Sequence, residues 1–353
     1  MTSRTILVLN AGSSTIKAAV FEDGREVARA GADAVPDHGA ALDRVLMGLG
    51  LQGYAIGRFG AAAHRVVHGG AHLSKSAHIT PQVRAQIAAC IPLAPLHNPH
   101  HLDVIDRIAA LAPGLRQYAS FDTAFHASIP EVAVRYALPD VPATQGLRRY
   151  GFHGISYAAL IEALPRQTGT QLPRRLLAFH LGNGASICAI REGRSVATTM
   201  GYSPNAGLTM GTRSGDMDPA AVLELARRID VDAAEHLLTH ASGLLGLSGA
   251  SFDMRALQAS GTPAAQFAIR HFCYWAARHA GAMIAAMGGV DAIAFTGGIG
   301  ENARDIMNDV LIKLEWAGDV PAHTVPAQEE AFVAREASNL MEGPDMKGPD
   351  FAA

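Results

Sequence analysis

Three short turns in this chain set glycines beside hydroxyl, amide or acidic side chains: "NAGSST" (10–15), "HLGNGAS" (180–186) and "TGGIGEN" (296–302). Glycine lets backbone N–H groups approach an anion with no Cβ in the way, and successive amides form an anion-binding concavity. Ser13, Ser14 and Thr15 add hydroxyl donors to the first turn, and Lys17 adds a point charge. Each turn taken singly reads as an ordinary tight turn. Three in one chain favour a nucleotide phosphate. The P-loop string GxxxxGK[ST] does not occur, so that mode of phosphate binding is excluded. Gly298-x-Gly300-x-x-Ala303 meets the dinucleotide fingerprint in form, which keeps a nicotinamide oxidoreductase as a minor alternative. No clear βαβ unit with a ribose-binding acid follows it.

Phosphoryl transfer needs cations around the phosphate oxygens and little covalent help. Arg65, in "AHRVVHGG", lies between apolar stretches and is poorly placed for a plain surface arginine. Arg213, in "LTMGTRSGDMDP", lies in a glycine-punctuated loop just before a helix. Asp122, in "SFDTAFH", falls at a strand end, a usual place for a functional carboxylate. For each, an ion pair or a cap is the plainer alternative. His153, between glycines in "YGFHGIS", reads as an exposed functional tip, and His180 precedes the second glycine turn. His64 and His68 have no glutamate between them and sit in a strand-like run, which argues against a zinc pair. For His97, His100 and His101 around Pro99, packing at a helix entry outweighs a metal.

The elements that must hold these groups show an internal echo. Both "LVLNAGSSTIKAAVF" (7–21) and "RRLLAFHLGNGASICAIREG" (174–193) read as hairpins turned on small polar residues. After the first hairpin, the later part of "RAGADAVPDHGAALDRVLMGLG" reads as a helix and "AAAHRVVHGG" as a buried strand. Thr80 and Asp218, each followed by proline, mark helix starts. "AAQFAIRHFCYWAARHAGAMIAAMGG" reads as a long, mostly buried helix, and "VDAIAFTGGIGENARDIMNDVL" as strand, glycine turn and helix. Two such halves predict a duplicated α/β domain, with ligand taken in a cleft between the halves.

Bulk properties agree with a folded protein of about two domains. The chain has 353 residues, 49% hydrophobic and 17% charged, with a formal net charge of −3. That balance gives no reason to expect a nucleic-acid or membrane surface, and no run approaches the length of a membrane span. The chain runs almost directly into "ILVLN", which leaves no room for a signal-peptide core. Cys90, Cys188 and Cys273 are scattered without a pairing pattern, so a reducing cytoplasm is the expected location.

In order along the chain, "LVLNAGSSTIKAAVF", "HRVVHGG", "LAPLHNP", "FDTAFH", "YGFHGIS", "HLGNGAS", "MGTRSGDMDP" and "FTGGIGEN" resemble the segments of the acetokinase (acetate kinase) family, from about Leu7 to Glu336. The resemblance implies two ribonuclease H-like domains of the actin and sugar kinase type, with ATP in an interdomain cleft. It places the first domain at 1–150, the nucleotide-binding domain at 151–326, a returning helix at 327–340 and a disordered tail at 341–353. The implied reaction is transfer of the ATP γ-phosphoryl group to acetate, with Mg²⁺ (Mn²⁺ as an alternative), in a homodimer. By motif, Asp122, His153 and Arg213 match the catalytic positions, and Arg65 the partner of the acetate carboxylate. Val67, Leu96, Phe152 and Pro204 match the acyl pocket. Ser13, Thr15 and Lys17 lie at the phosphates, as do His180, Leu181, Gly182, Asn183 and Gly184. Asp253, Met254 and Arg255, with Gly298, Ile299, Gly300, Glu301 and Asn302, match the adenosine side. Asn10 and Glu329 match the magnesium side. Val67 favours acetate, with propionate second.

The chain also departs from its family. Tyr157 stands where a second histidine is usual, and Asn205-Ala206 replaces an acidic residue. After "LEWAG" the chain has almost no room for the strand segments the family carries there. That shortening keeps open a catalytically weak nucleotide-binding relative that acts as a sensor or scaffold.

Overall fold

The computed structural model describes residues 5–12, 15–33 and 37–343. They form two compact units: one runs to Phe125 and takes back the chain from Gln328, and the other spans His126–Ala327. The first unit therefore ends at residue 125 and not at 150. The reason is local hydrogen bonding. Ser128 Oγ donates to Ser195 O, Arg149 Nη1 donates to Thr199 O, and Tyr150 N donates to Gly201 O. These bonds tie the segment after Phe125 to the second unit.

The first unit is built on strands β1 (Thr5–Ala11), β2 (Thr15–Glu22), β3 (Arg25–Asp33), β4 (Ala61–Val66), β5 (Ala77–His78) and β6 (Arg116–Phe121). Their order in the sheet is β3-β2-β1-β4-β6-β5. β1, β2 and β3 form an antiparallel meander, while β1, β4 and β6 run parallel. The second unit carries β7 (Arg175–Leu181), β8 (Ala185–Arg191), β9 (Arg194–Thr198), β10 (Ala292–Thr296) and β11 (Ala322–Thr324), ordered β11-β10-β7-β8-β9. Its β7, β8 and β9 form the meander, and β7, β10 and β11 run parallel. Apart from the short edge strand β5, the two sheets share one topology. That is the duplication the two hairpins announce.

Burial follows the sequence pattern. Leu7, Leu9, Ile16 and Val20 pack against Leu42, Val45 and Leu49 of the helix His38–Leu51. Thr80 and Asp218 cap their helices, with proline just inside each. Three local expectations are corrected. The helix Pro263–Met287 buries nine of its 25 residues along one face, so it is amphipathic and not mostly buried. "GGIGEN" is a short helix, Gly297–Asn302, and not a turn. Gly297 adopts φ +82°, and a Cβ there would stand 2.7 Å from Leu181 O, so glycine alone fits the tight passage from β10. After Glu315–Ala317 the chain does find room for one three-residue strand, β11, parallel to β10. The helix Glu329–Glu342 packs against β1, β4 and β6.

No described helix is long and apolar enough to cross a membrane. Three buried histidines, His64, His68 and His126, are pushed down to about 4 by desolvation. Each is neutral in the folded chain and titrates near 6.5 when unfolded. The unfolded state therefore binds more protons below that value, and stability rises with pH across that range. Their contribution is complete above about pH 6.5 and is lost as pH drops toward about 4. A melting series across that window shows a steadily falling Tm. A flat Tm contradicts the assignment.

Candidate functional site

In the first unit, three parallel strands deliver polar groups at their carboxyl ends, the side where open α/β sheets take ligands. Asn10 lies near the end of β1, Arg65 near the end of β4, and Asp122 just beyond β6. Register brings the last two together, because Arg65 pairs with Ser120 across β4 and β6. Arg65 Nε lies 3.1 Å from Asp122 Oδ1 and Nη2 lies 2.7 Å from Oδ2, a bidentate fork. Nη1 lies 3.2 Å from Glu329 Oε2, which the C-terminal helix brings in. Asp122 is 2% exposed, and the Arg65 and Glu329 side chains are 20% and 15% exposed. Burial alone would lower the Arg65 pKa, but Asp122 and Glu329 outweigh it and hold the guanidinium above its ordinary range.

The loop after β4 is pinned by the "HNPHH" segment. Val67 N donates to His101 Nε2 at 3.2 Å, and His68 N donates to Asn98 Oδ1 at 3.2 Å. Burial, with His97, Arg65, His64 and His100 nearby, keeps His101 well below its ordinary pKa, which suits an accepting Nε2. His101 thus serves backbone anchoring, while His100 stacks on His38. Among the described residues, no group of three or more His, Cys, Asp or Glu side chains could hold a metal ion. Asn10, Asp122 and Glu329 still offer hard oxygen donors. That chemistry fits magnesium, which takes one or two carboxylates and completes its shell with water and substrate phosphates.

At the β1–β2 turn, Gly12 N donates to Thr15 O at 2.7 Å, and His38 Nε2 lies 2.8 Å from Gly12 O. Asn10 pairs across the hairpin with Lys17, so both side chains share one face. Ser13 lies outside the described residues.

In the second unit, the Gly182–Gly184 turn joins β7 to β8 and is closed by Gly182 N donating to Gly184 O at 3.0 Å. Asn183 O accepts from Gly211 N, which joins this turn to the loop bearing Arg213. A Cβ on Gly184 would lie 3.2 Å from His153 Nε2 and 3.5 Å from Arg213 Nη1. Both side chains therefore flank the turn. His153 adopts φ +57° at the start of the helix Gly154–Thr168 and stacks on His180, with ring centroids 4.0 Å apart. It is half-buried, so the expectation of an exposed tip is corrected.

Arg213 Nη1 donates to Pro204 O at 3.1 Å. Burial lowers its pKa, and no carboxylate among the described residues offsets that. Gly298 N is 4.0 Å from a Cβ built on Gly182, so the helix Gly297–Asn302 starts beside the same turn. Glu301 Oε1 braces it by accepting from Gly297 N and Ala327 N. Asp253 caps the helix Met254–Ser260 and forms a surface ion pair with Arg255 at 2.7 Å. A cavity of about 490 Å³ in this unit, lined in part by Ser214, Leu237, His271 and Trp275, includes none of the residues matched to nucleotide.

The four acyl-pocket residues divide evenly: Val67 and Leu96 belong to the first unit, Phe152 and Pro204 to the second. Sequence reasoning did not single out Ser156, Ser186 or His126. Ser156 Oγ lies 2.8 Å from His180 Nδ1, and Ser186 Oγ lies 2.9 Å from His153 Nδ1. His126 Nε2 donates to Phe152 O at 2.8 Å. Small hydroxyls in apolar strands carry no signal of this kind.

The Acetokinase family model matches residues 25–341. The acetate kinase of Rhodopseudomonas palustris (strain TIE-1) is 40% identical, with 97% of this chain and 99% of that protein covered. That alignment runs to 395 positions against 353 residues here, so the relative carries segments this chain lacks. Among solved structures, Porphyromonas gingivalis acetate kinase superposes with TM-score 0.88 at 34% identity, covering 96% of this chain and 100% of that one. A propionate kinase from Francisella tularensis also reaches 0.88, at 32% identity, covering 94% and 98%.

Arg65 gives this site its stability test. Removing one partner of a buried ion pair costs about 3–5 kcal/mol, because the other charge is left buried. Asp122→Ala lowers unfolding stability in urea on that scale. A loss under about 1 kcal/mol, the worth of an exposed pair, contradicts the clamp.

Proposed function

The chain belongs to the acetokinase family, and from that premise we propose that it transfers the γ-phosphoryl group of ATP to acetate, reversibly, giving acetyl phosphate and ADP. The observation that carries the reading is Arg213. It is a largely buried cation with no carboxylate partner among the described residues, set beside a glycine turn and His153. A buried charge without a counter-ion is costly, and a phosphoryl group in transit supplies the counter-ion.

Acetate at neutral pH is already a carboxylate and needs no base to attack. The obstacle is bringing one anion to another, which is a task for preorganised cations. Arg65 has Nε, Nη1 and Nη2 each facing a carboxylate oxygen. The outer N–H groups of Nη1 and Nη2 remain for a further anion, the acetate. Asp122, committed to that guanidinium on two oxygens, orients it and has no proton to take. His153 and Arg213 then hold the equatorial oxygens of a loose, metaphosphate-like group, with Gly182–Gly184 at the phosphates. Lys17, Thr15 and Ser13 serve the phosphates from the first unit. Gly298–Asn302 and Asp253–Arg255 serve the adenosine. Asn10 and Glu329 would hold magnesium, with manganese as an alternative. When bound, the ion neutralises charge on the phosphates.

Val67 and Leu96, with Phe152 and Pro204, shape the acyl end. Propionate is the second acceptor, since one methylene changes binding by only about 1–3 kcal/mol. A homodimer acting in the cytoplasm belongs to the same proposal. Its support is the helix Pro219–Ile229, which buries no residue, with Leu223 and the following Val231 57% and 69% exposed. Family membership sets aside the oxidoreductase reading of Gly298 and Gly300.

Acetate, ATP and magnesium together yield hydroxylamine-trappable acyl phosphate, and omission of any one abolishes it. Complete absence of product points instead to the sensor or scaffold. Arg213→Ala lowers kcat by roughly 10²-fold or more, the scale of lost charge stabilisation. A near-normal kcat removes Arg213 from the chemistry.

A further inference from the structure

Tyr157 lies in a chain of hydrogen bonds that ends at His153. Its ring is fully buried on the helix Gly154–Thr168. Its Oη lies 2.5 Å from Ser186 Oγ and is also bonded to the His180 backbone. The two bonds arise together because His180 and Ser186 are cross-strand partners on β7 and β8. The Oη–Oγ bond admits either donor; in the proposed direction, Oη accepts from the His180 N–H and gives its own proton to Ser186 Oγ. The Ser186 hydroxyl then points its proton at His153 Nδ1, 2.9 Å away. An imidazole whose Nδ1 accepts carries its proton on Nε2. Nε2 is the atom beside Gly184.

We propose that Tyr157 is a positioning residue that acts through Ser186. It fixes His153 as the neutral tautomer protonated on Nε2, so that this N–H is offered as a donor at the Gly182–Gly184 turn. Two further observations agree. Burial pushes the Tyr157 hydroxyl well above the ordinary tyrosine range, so the first proton of the relay stays in place. His180, stacked on His153 at 4.0 Å, has its Nδ1 engaged by Ser156, and two stacked rings repel if both are cationic. No net proton transfer is required. The relay orients a donor and leaves the phosphoryl chemistry to Arg65, Arg213 and His153.

The proposal rests on the reading of His153 as a phosphoryl ligand, and the experiment separates the two. Long-range ¹H–¹⁵N correlation spectra of the full-length protein report which ring nitrogen of His153 carries the proton. In the wild type, Nδ1 appears as a bare ring nitrogen and Nε2 as a protonated one. Tyr157→Phe keeps the ring and removes the hydroxyl. The two His153 nitrogen shifts then move toward each other, and kcat falls roughly tenfold, a common cost of losing an outer-shell partner, with KM for acetate nearly unchanged. Ser186→Ala, which cuts the same relay one bond later, gives the same pattern. A wild-type His153 protonated on Nδ1 overturns the proposal with no substitution needed, and so does a Tyr157→Phe protein with unchanged shifts and kcat. Undiminished kcat in His153→Ala refutes the phosphoryl reading itself, while the tautomer assignment stands or falls on the spectra alone.

Discussion

Two largely buried guanidiniums, treated in opposite ways, organise this protein. Arg65 is neutralised by Asp122 on one edge and Glu329 on another, so its charge is stable in place and its direction is fixed. Arg213 has a carbonyl and a thioether sulfur for partners and no carboxylate. Desolvating an ion is costly, and the cost is recovered only by a well-placed opposite charge. The first arginine has that charge supplied by the protein; in the proposed reaction the phosphoryl group would supply it to the second.

The sheets explain why these charges lie where they do. In each unit, parallel strands end on the same edge, and candidate site residues sit on or just past those ends: Asn10, Arg65 and Asp122 in one, His180 and Gly298 in the other. The meander in each unit supplies a hairpin tip at that edge. The tips have diverged. The first carries hydroxyls and a lysine, while the second is a bare Gly-Asn-Gly whose neighbours His153 and Arg213 come from elsewhere in the chain.

Much of this was legible in the residues, and what was not has definable causes. The hairpins, the proline-marked helix starts and the strand-end placement of Asp122 depend on local chemistry that a short window contains. The third strand of the first meander does not declare itself, because "REVARAGAD" is rich in alanine and glycine and mostly solvent-facing. Its strand character comes from pairing with β2. "GGIGEN" reads as a turn because glycine disfavours helix, and what overrides it is close approach to Leu181. The boundary at Phe125 has no compositional mark, since it is set by hydrogen bonds to strands far along the sequence. The Arg65 clamp was half visible. Both arginine and aspartate stood out, but their partnership follows from strand register, and Glu329 reaches it from more than two hundred residues away.

That last contact has a consequence for how the protein is made. The first unit is discontinuous: its sheet is complete by Phe121, yet the helix that packs on β1, β4 and β6 follows the whole second unit in the chain. Domains fold as units during synthesis, the N-terminal one first. Here the ribosome must deliver the whole second unit before Glu329 exists. A nascent chain therefore holds one face of its first sheet without this helix, with Arg65 facing one carboxylate instead of two.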